Sequence, residues 1–327
     1  MKLLKNSICF LVVTLLIATI GFSPQTKATQ EGSFGLAKPV TFEEKETLTV
    51  DKNGVAKSNN DDQVSAIKEA RQLAKQDSHN EITYKNPLAK EENNIVNVPV
   101  VEKKEEKAHT KAASLVTMSY TTIYDPNKKS ITTTIKIASI VGEKPIVIEA
   151  RNDLYESNTY SGKYGRVFLH NREFLGKDIK VGKSYSKSYY PKKTKFFMSQ
   201  HTSVAGWKGS LPDTSTGTLA PALANKIAWL YPKIINTHNN KTMPLPAKAN
   251  FPKIPLEDRV KWDSSKDRDN YIKKYIEKYG NPKWKWSEFD IHHVLPREYG
   301  GNNSFNNLYP LTRDIHQQIL NPWWMKY

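Results

Sequence analysis

Hydrophobic positions along the 327-residue chain fall into three kinds of stretch. The first is an apolar run from Ile8 to Phe22, preceded by Lys2 and Lys5 and followed by Ser23-Pro24-Gln25-Thr26-Lys27-Ala28. A basic start, a short apolar block and a small-residue exit predict a secretory signal peptide over residues 1–28, cleaved after Ala28. The run is short for a bilayer span, so no stable membrane anchor is expected after cleavage, and the mature protein is expected to be secreted and extracellular. The second kind covers residues 29–113, where apolar side chains are thin and the aromatics are Phe34, Phe42 and Tyr84. Its mixed-charge run Val101-Glu102-Lys103-Lys104-Glu105-Glu106-Lys107 has no apolar face. Such a segment buries too little surface to offset its ordering entropy, and it reads as a disordered linker or propeptide. One helix is predicted inside it, from Asp61 to Gln76, where Val64, Ile67, Ala70, Leu73 and Ala74 recur at helical spacing.

The third kind begins at Leu115 and reads as strands. Ser119–Tyr124 runs into the turn Asp125-Pro126-Asn127-Lys128, Ser130–Ile137 alternates and is β-branched, and Pro145–Ala150 follows. Short β-branched runs between turn residues predict a β-rich, sandwich-like domain over residues 114–215. The mixed aromatic and basic stretch Ser184–Lys193 reads as a solvated strand edge, with a nucleic-acid or cell-wall surface as the alternative. After Thr218 the pattern predicts a helix, with Pro221 in its first turn, Leu223, Ile227, Leu230 and Tyr231 on one side and Pro232 at its end. A proline-rich connector runs from Met243 to Pro255. A second helix is predicted from Ser265 to Tyr279, with Asp267 and Asp269 in the first turn and Gly280 and Pro282 as the stop. The fold class is therefore α+β, with a β-rich domain followed by a C-terminal domain over residues 216–327.

Charge and cysteine usage narrow the chemistry. Residues 29–113 carry 13 basic and 15 acidic side chains, whereas residues 114–327 carry 33 and 18, so the net charge of +16 lies mostly in the folded region. A basic folded region attracts polyanions, nucleic acid foremost. The single cysteine, Cys9, lies in the apolar leader, which excludes disulfides and thiolate metal ligands from the mature chain. Any catalytic metal must be held by His, Asp, Glu or Asn.

The candidate chemistry is concentrated in the segment from Phe289 to His316, which holds three of the eight histidines, His292, His293 and His316. Phosphodiester hydrolysis needs a base for water and a cation for the charge on phosphoryl and leaving oxygens. Imidazole suits both needs, as a base near neutral pH and as a ligand of divalent metals. Two adjacent imidazoles at a strand end can divide these roles between them. Gly300-Gly301 permits a tight reversal, Asn302 and Asn303 suit the same loop, and Leu308 and Leu311 read as a helix entry. The local order predicted is strand, loop, short strand, helix, which folds His316 back beside His292.

The pattern His292-His293, Pro296, Gly300-Gly301, Asn307-Leu308, Leu311 and His316 resembles the HNH, or ββα-metal finger, nucleases, and is similar to the C-terminal nuclease domains of bacterial secreted toxins. The resemblance covers about residues 255–327. It implies His293 as general base, His292 and His316 as metal ligands and Asn307 as the residue bracing the finger loop. His293 as a further ligand is the alternative. Position 320, where some members carry another histidine, is Leu, so two nitrogen ligands are expected, completed by water and phosphate. That favours Mg²⁺ or Mn²⁺ over Zn²⁺ or Ni²⁺ as the single divalent ion. Asp290 is a candidate supporting partner or extra ligand. Arg297 is a candidate phosphate contact or an exposed structural arginine. Trp284, Trp286, Trp323 and Trp324 read as core or rim before base-stacking. The function implied is a secreted endonuclease acting on DNA ahead of RNA. As an antibacterial toxin it would have an acidic immunity protein as partner. The alternative function is an extracellular binding or adhesion protein with a working β-rich domain and an inactive finger.

Overall fold

The computed structural model describes residues 37–51, 60–76, 80–84, 95–96 and 112–327. The expected leader, residues 1–28, lies outside them. The chain is mixed α+β and rich in strands. Its first elements are β1 (Val40–Asp51), α1 (Asn60–Gln76), β2 (Glu81–Tyr84) and β3 (Ile95–Val96). Long antiparallel strands follow: β4 (Ala112–Asp125), β5 (Ser130–Val141), β6 (Val147–Ser157), β7 (Gly162–Phe168), β8 (Asn171–Leu175), β9 (Ser184–Tyr189), β10 (Lys195–Gly206) and β11 (Asp213–Ala224). The C-terminal part holds β12 (Leu245–Pro246), α2 (Lys266–Tyr279), β13 (Phe289–His293), β14 (Leu308–Thr312) and a final helix α3 over residues 313–325.

Two sheets pack face to face. One has the order β1-β4-β5-β9 and the other β11-β10-β6-β7-β2, with β8 also on β6. Val116, Met118, Tyr120, Ile135 and Ile137 of the first meet Ile148, Ala150, Phe174 and Ala205 of the second in one buried cluster. Period-2 alternation explains the arrangement, since every second residue of β4 and β5 points inward. β10 is buried on both faces. Its outer face is covered at one end by α1, where Ala70 packs on Val147 and Val204. At the other end the C-terminal segment covers it: Phe196, Met198, Tyr155, Tyr160 and Tyr164 share a core with Val294, Tyr309, Leu311, Leu320, Trp323 and Trp324. Trp323 Nε1 donates to the Trp229 carbonyl at 2.8 Å, and Asn225 Nδ2 donates to the Trp323 carbonyl at 3.2 Å. The site-bearing hairpin is thus built on a rigid sheet.

Three expectations are corrected. Residues 29–113 contain a full sheet strand, since β1 pairs with β4 from Val40–Tyr124 to Asp51–Ala112. The reason it was illegible is physical. Its inward face carries Phe42, Leu48 and Val50 but also Glu44 and Glu46, which break the apolar alternation until their partners on β10 are known. The helix expected after Thr218 is instead the end of β11. Pro221 sits where the β10–β11 register slips between Phe197 and Ser199, a bulge at a sheet edge where its missing N–H costs no ladder bond. The chain then turns on Asn225, whose Oδ1 accepts from the Ile227 and Trp229 amides, each at 3.2 Å. Finally, Leu308 and Leu311 lie on the short strand of the expected order and not at the helix entry: Leu308–Thr312 pairs antiparallel with β13 from His293–Leu308 to Phe289–Thr312, and the helix starts at Arg313. The helices α1 and α2 lie where periodicity puts them, and β9 is a sheet edge. Among the described residues, no helix is long and apolar enough to cross a membrane.

Candidate active site on the C-terminal hairpin

The β13–β14 hairpin and α3 bring the three histidines together. His292 pairs with Tyr309 and His293 with Leu308 at the loop end of the ladder. Neighbouring side chains on a strand point to opposite faces, so His292 turns into the core, 4% exposed, while His293 stays half-buried. α3 opens as an α-helix (Arg313–Ile315), passes through a π turn (His316–Leu320) and closes as an α-helix (Asn321–Met325). The π turn starts at His316. Its ring meets that of His292 edge-on, with centroids 5.2 Å apart. Leu320, at the end of the same turn, is fully buried in the core shared with the sheet and is no part of the site.

The loop between the strands is built around Asn307. Its Oδ1 accepts from the Leu295 amide at 2.9 Å, and its Nδ2 donates to the carbonyls of Asn302 at 2.8 Å and Leu295 at 3.1 Å. Its own carbonyl accepts from the Val294 amide at 2.8 Å. One buried side chain thus stitches both ends of the loop. Gly301 packs so closely on the Leu295 carbonyl that a Cβ there would overlap it, and Gly300 has φ of +88°. Both glycines are backbone requirements of the reversal.

Asp290 supports His316 rather than His292. Its Oδ2 lies 2.9 Å from His316 Nδ1, while Arg313 Nε stands 3.6 Å from its Oδ1. A carboxylate on Nδ1 fixes the His316 ring and leaves Nε2 as its donor atom, the arrangement metal-binding histidines use. His292 Nε2 is buried and has no hydrogen-bond partner among the described residues. An unpaired buried ring nitrogen beside a carboxylate-backed imidazole fits a divalent cation. The fit is of two nitrogens only: among the described residues, no group of three or more His, Cys, Asp and Glu side chains is arranged to hold a metal. Burial, reinforced by the neighbouring His316 and His293 rings, holds the His292 imidazole well below its ordinary pKa. It is therefore neutral and able to act as a ligand near pH 7.

His293 faces the other way. Its Nε2 lies 2.9 Å from Asn303 Oδ1, and Trp262 stands edge-on to its ring at 5.0 Å. Burial lowers its pKa, the Asn303 contact works against that, and the Arg297 and His316 charges add to the lowering. Arg297 is near enough to act on His293, yet its guanidinium also donates to the Val260 carbonyl at 3.1 Å. Trp323 and Trp324 are core residues, and Trp284 and Trp286 are half-buried in an aromatic cluster with Tyr271 and Tyr275 of α2.

Sequence reasoning missed Asn303 as a side-chain partner, and missed Trp262, Asp267 and Arg313 as residues at the site. One signal existed for Asn303. Asn302 alone completes the turn, its Oδ1 accepting from the Ser304 amide at 3.0 Å, which leaves the second asparagine surplus to turn chemistry. Comparison with protein-family models, with curated proteins and with solved structures returned no match.

Proposed function

We propose that this protein is a secreted, metal-dependent endonuclease of the HNH type, hydrolysing phosphodiester bonds in DNA ahead of RNA. The observation that carries the reading is the convergence of His292, His293 and His316 on one hairpin-and-helix unit, with the outer two supplying ring nitrogens and the middle one held apart from them. The strongly basic composition of residues 114–327 supports a polyanionic substrate.

In this reading His292 and His316 hold one divalent ion, Mg²⁺ or Mn²⁺ ahead of Zn²⁺ or Ni²⁺. When bound, the ion supplies positive charge to the phosphoryl oxygens and the leaving alkoxide. His293 takes the proton from the attacking water; its lowered pKa keeps it unprotonated, and so competent as a base, at neutral pH. Asp290 orients His316. Asn307 holds the loop that follows His293 against the start of the strand that leads to His316. Arg313 and Arg297 flank the site as candidate phosphate contacts. Because water is the nucleophile, no 2′-hydroxyl is required. As a toxin, the protein would pair with an acidic immunity protein matched to its basic surface.

The test is cleavage of plasmid DNA and of RNA by purified residues 29–327, with and without Mg²⁺, Mn²⁺ and Zn²⁺. Metal-dependent cleavage that His293→Ala abolishes is the expected result. Cleavage that survives thorough chelation, or that His293→Ala leaves intact, overturns the assignment.

A further inference from the structure

His293, like His316, is half-buried, and its partner is a side chain from the loop rather than the backbone. Asn303 makes three contacts. Its Oδ1 lies 2.9 Å from His293 Nε2, and its Nδ2 lies 2.8 Å from the Lys261 carbonyl and 3.3 Å from Asp267 Oδ2. The last two settle which end of the amide is which. Lys261 offers a carbonyl oxygen and Asp267 a carboxylate, and both can only accept. The amide nitrogen must face them, since the reversed amide would set its oxygen against two other oxygens. The oxygen is therefore committed to His293, and an amide oxygen can only accept. His293 Nε2 must carry the proton.

From this we infer that Asn303 is a positioning residue: it holds neutral His293 in the Nε2–H tautomer and leaves Nδ1 as the nitrogen that takes the proton from water. The inference rests on the nuclease reading for its catalytic meaning, though not for the tautomer itself. Its reach extends past the hairpin. Lys261 and Asp267 bracket the start of α2, and Asp267 Oδ2 also accepts from the Asp263 amide at 2.8 Å. The turn before α2 is closed in its own right by Asp263, whose Oδ1 accepts from the Ser265 and Lys266 amides, each at 2.9 Å. Trp262, between Lys261 and that turn, places its ring edge-on to the His293 imidazole. The first turn of α2 thus forms a fixed frame, and Asn303 transmits its position to the ring. A histidine whose second nitrogen is occupied this way is held in both tautomer and orientation.

The test uses long-range ¹H–¹⁵N correlation spectra of the ¹⁵N-labelled mature chain without added metal, with the His293 signals assigned from their loss in His293→Gln. The wild-type chain is expected to show His293 with Nε2 protonated and Nδ1 bare. Asn303→Ala is expected to blur that signature into a tautomer mixture. It should lower kcat on DNA by about 10- to 100-fold while leaving KM within about twofold. A wild-type ring protonated on Nδ1 overturns the inference with no variant needed. So does Asn303→Ala with an unchanged tautomer, and an unchanged kcat overturns the positioning role. A wild-type chain that cleaves nothing brings down the nuclease reading, while the tautomer spectrum still decides the orientation of His293.

Discussion

Two regions of the molecule bury histidine, and they do so to opposite effect. Between the sheets, His201 on β10 is 0% exposed and stacks on Tyr120 with centroids 4.4 Å apart. Its Nε2 lies 3.2 Å from Glu46 Oε1, and Gly217 closes the far side so tightly that any Cβ would overlap the ring. Glu46 is held in turn by Ser203 Oγ at 3.1 Å. Every direction from that imidazole ends in protein. On the C-terminal hairpin, His293 is held through Nε2 by Asn303, and His292 and His316 meet each other, with the Asp290 carboxylate on His316. Burial alone therefore does not mark a chemical histidine. What sets the hairpin apart is the convergence of its imidazoles on one unit, with a carboxylate on one of them.

The sharpest way to break this comparison is to delete one histidine from each region. His293→Ala is expected to lower cleavage by about 100- to 10,000-fold, the range for loss of a general base, with the thermal midpoint almost unmoved because the ring is half-exposed and spans no core. His201→Ala should do the reverse. It removes the imidazole that packs against buried Glu46 and opens a hole beneath Tyr120, costing about 2–5 kcal/mol in a denaturant titration, while the folded fraction keeps its specific activity. Gly217→Ala, which forces the same ring aside, should destabilise in the same sense. A His201 variant that lost activity without losing stability would erase the distinction.

The same contrast explains what could be read from the chain. His292, His293, Asn307, Gly301 and His316 were legible because their chemistry is local: each serves a hairpin and helix encoded within one segment. Asn303's partners were not, because Lys261 and Asp267 lie 42 and 36 residues away in sequence. Nor was β1, whose inward Glu46 reads as solvated until Ser203, 157 residues on, is placed beside it. Pro221 reads as a helix start as readily as a strand bulge, and only the β10 register separates the two. The π turn at His316 has no signature in the residues that form it.

A second structural histidine sharpens the comparison through pH. His170 is buried beside Thr133, whose Oγ1 lies 2.9 Å from its Nδ1, and its Nε2 has no hydrogen-bond partner among the described residues. Burial, with Arg172 and Lys187 adding to it, pushes its pKa down to about 4. The unfolded chain binds this proton near pH 6.5 and the folded chain does not, so stability is whole above pH 6.5 and falls as pH drops towards 4. Below that the contribution is flat. The loss is at most about 3 kcal/mol. Urea midpoints measured from pH 7 to 4 should show the slope, and His170→Asn should remove most of it. A slope that persists unchanged would assign the acid sensitivity to another group.

The smallest expected effect separates the two arginines at the site. Arg297 is partly spent on the Val260 carbonyl, and its charge acts on His293. Arg313 is more exposed, its side chain at 58%, and its near partner among the described residues is Asp290 at 3.6 Å. An exposed pair at that distance is weak, so Arg313 can turn to a phosphate at little cost while Asp290 stays on His316. Arg313→Ala is therefore expected to raise KM for DNA several-fold, about 1 kcal/mol, and to flatten the dependence of log K on log salt by about one unit. Arg297→Ala should leave the salt slope closer to wild type and act mainly on kcat, through the field at His293. If the two variants change places, with Arg297 carrying the salt dependence, then the loop rather than the helix presents the phosphate contact. The substrate strand would then run over the side of the hairpin where His293 faces Asn303.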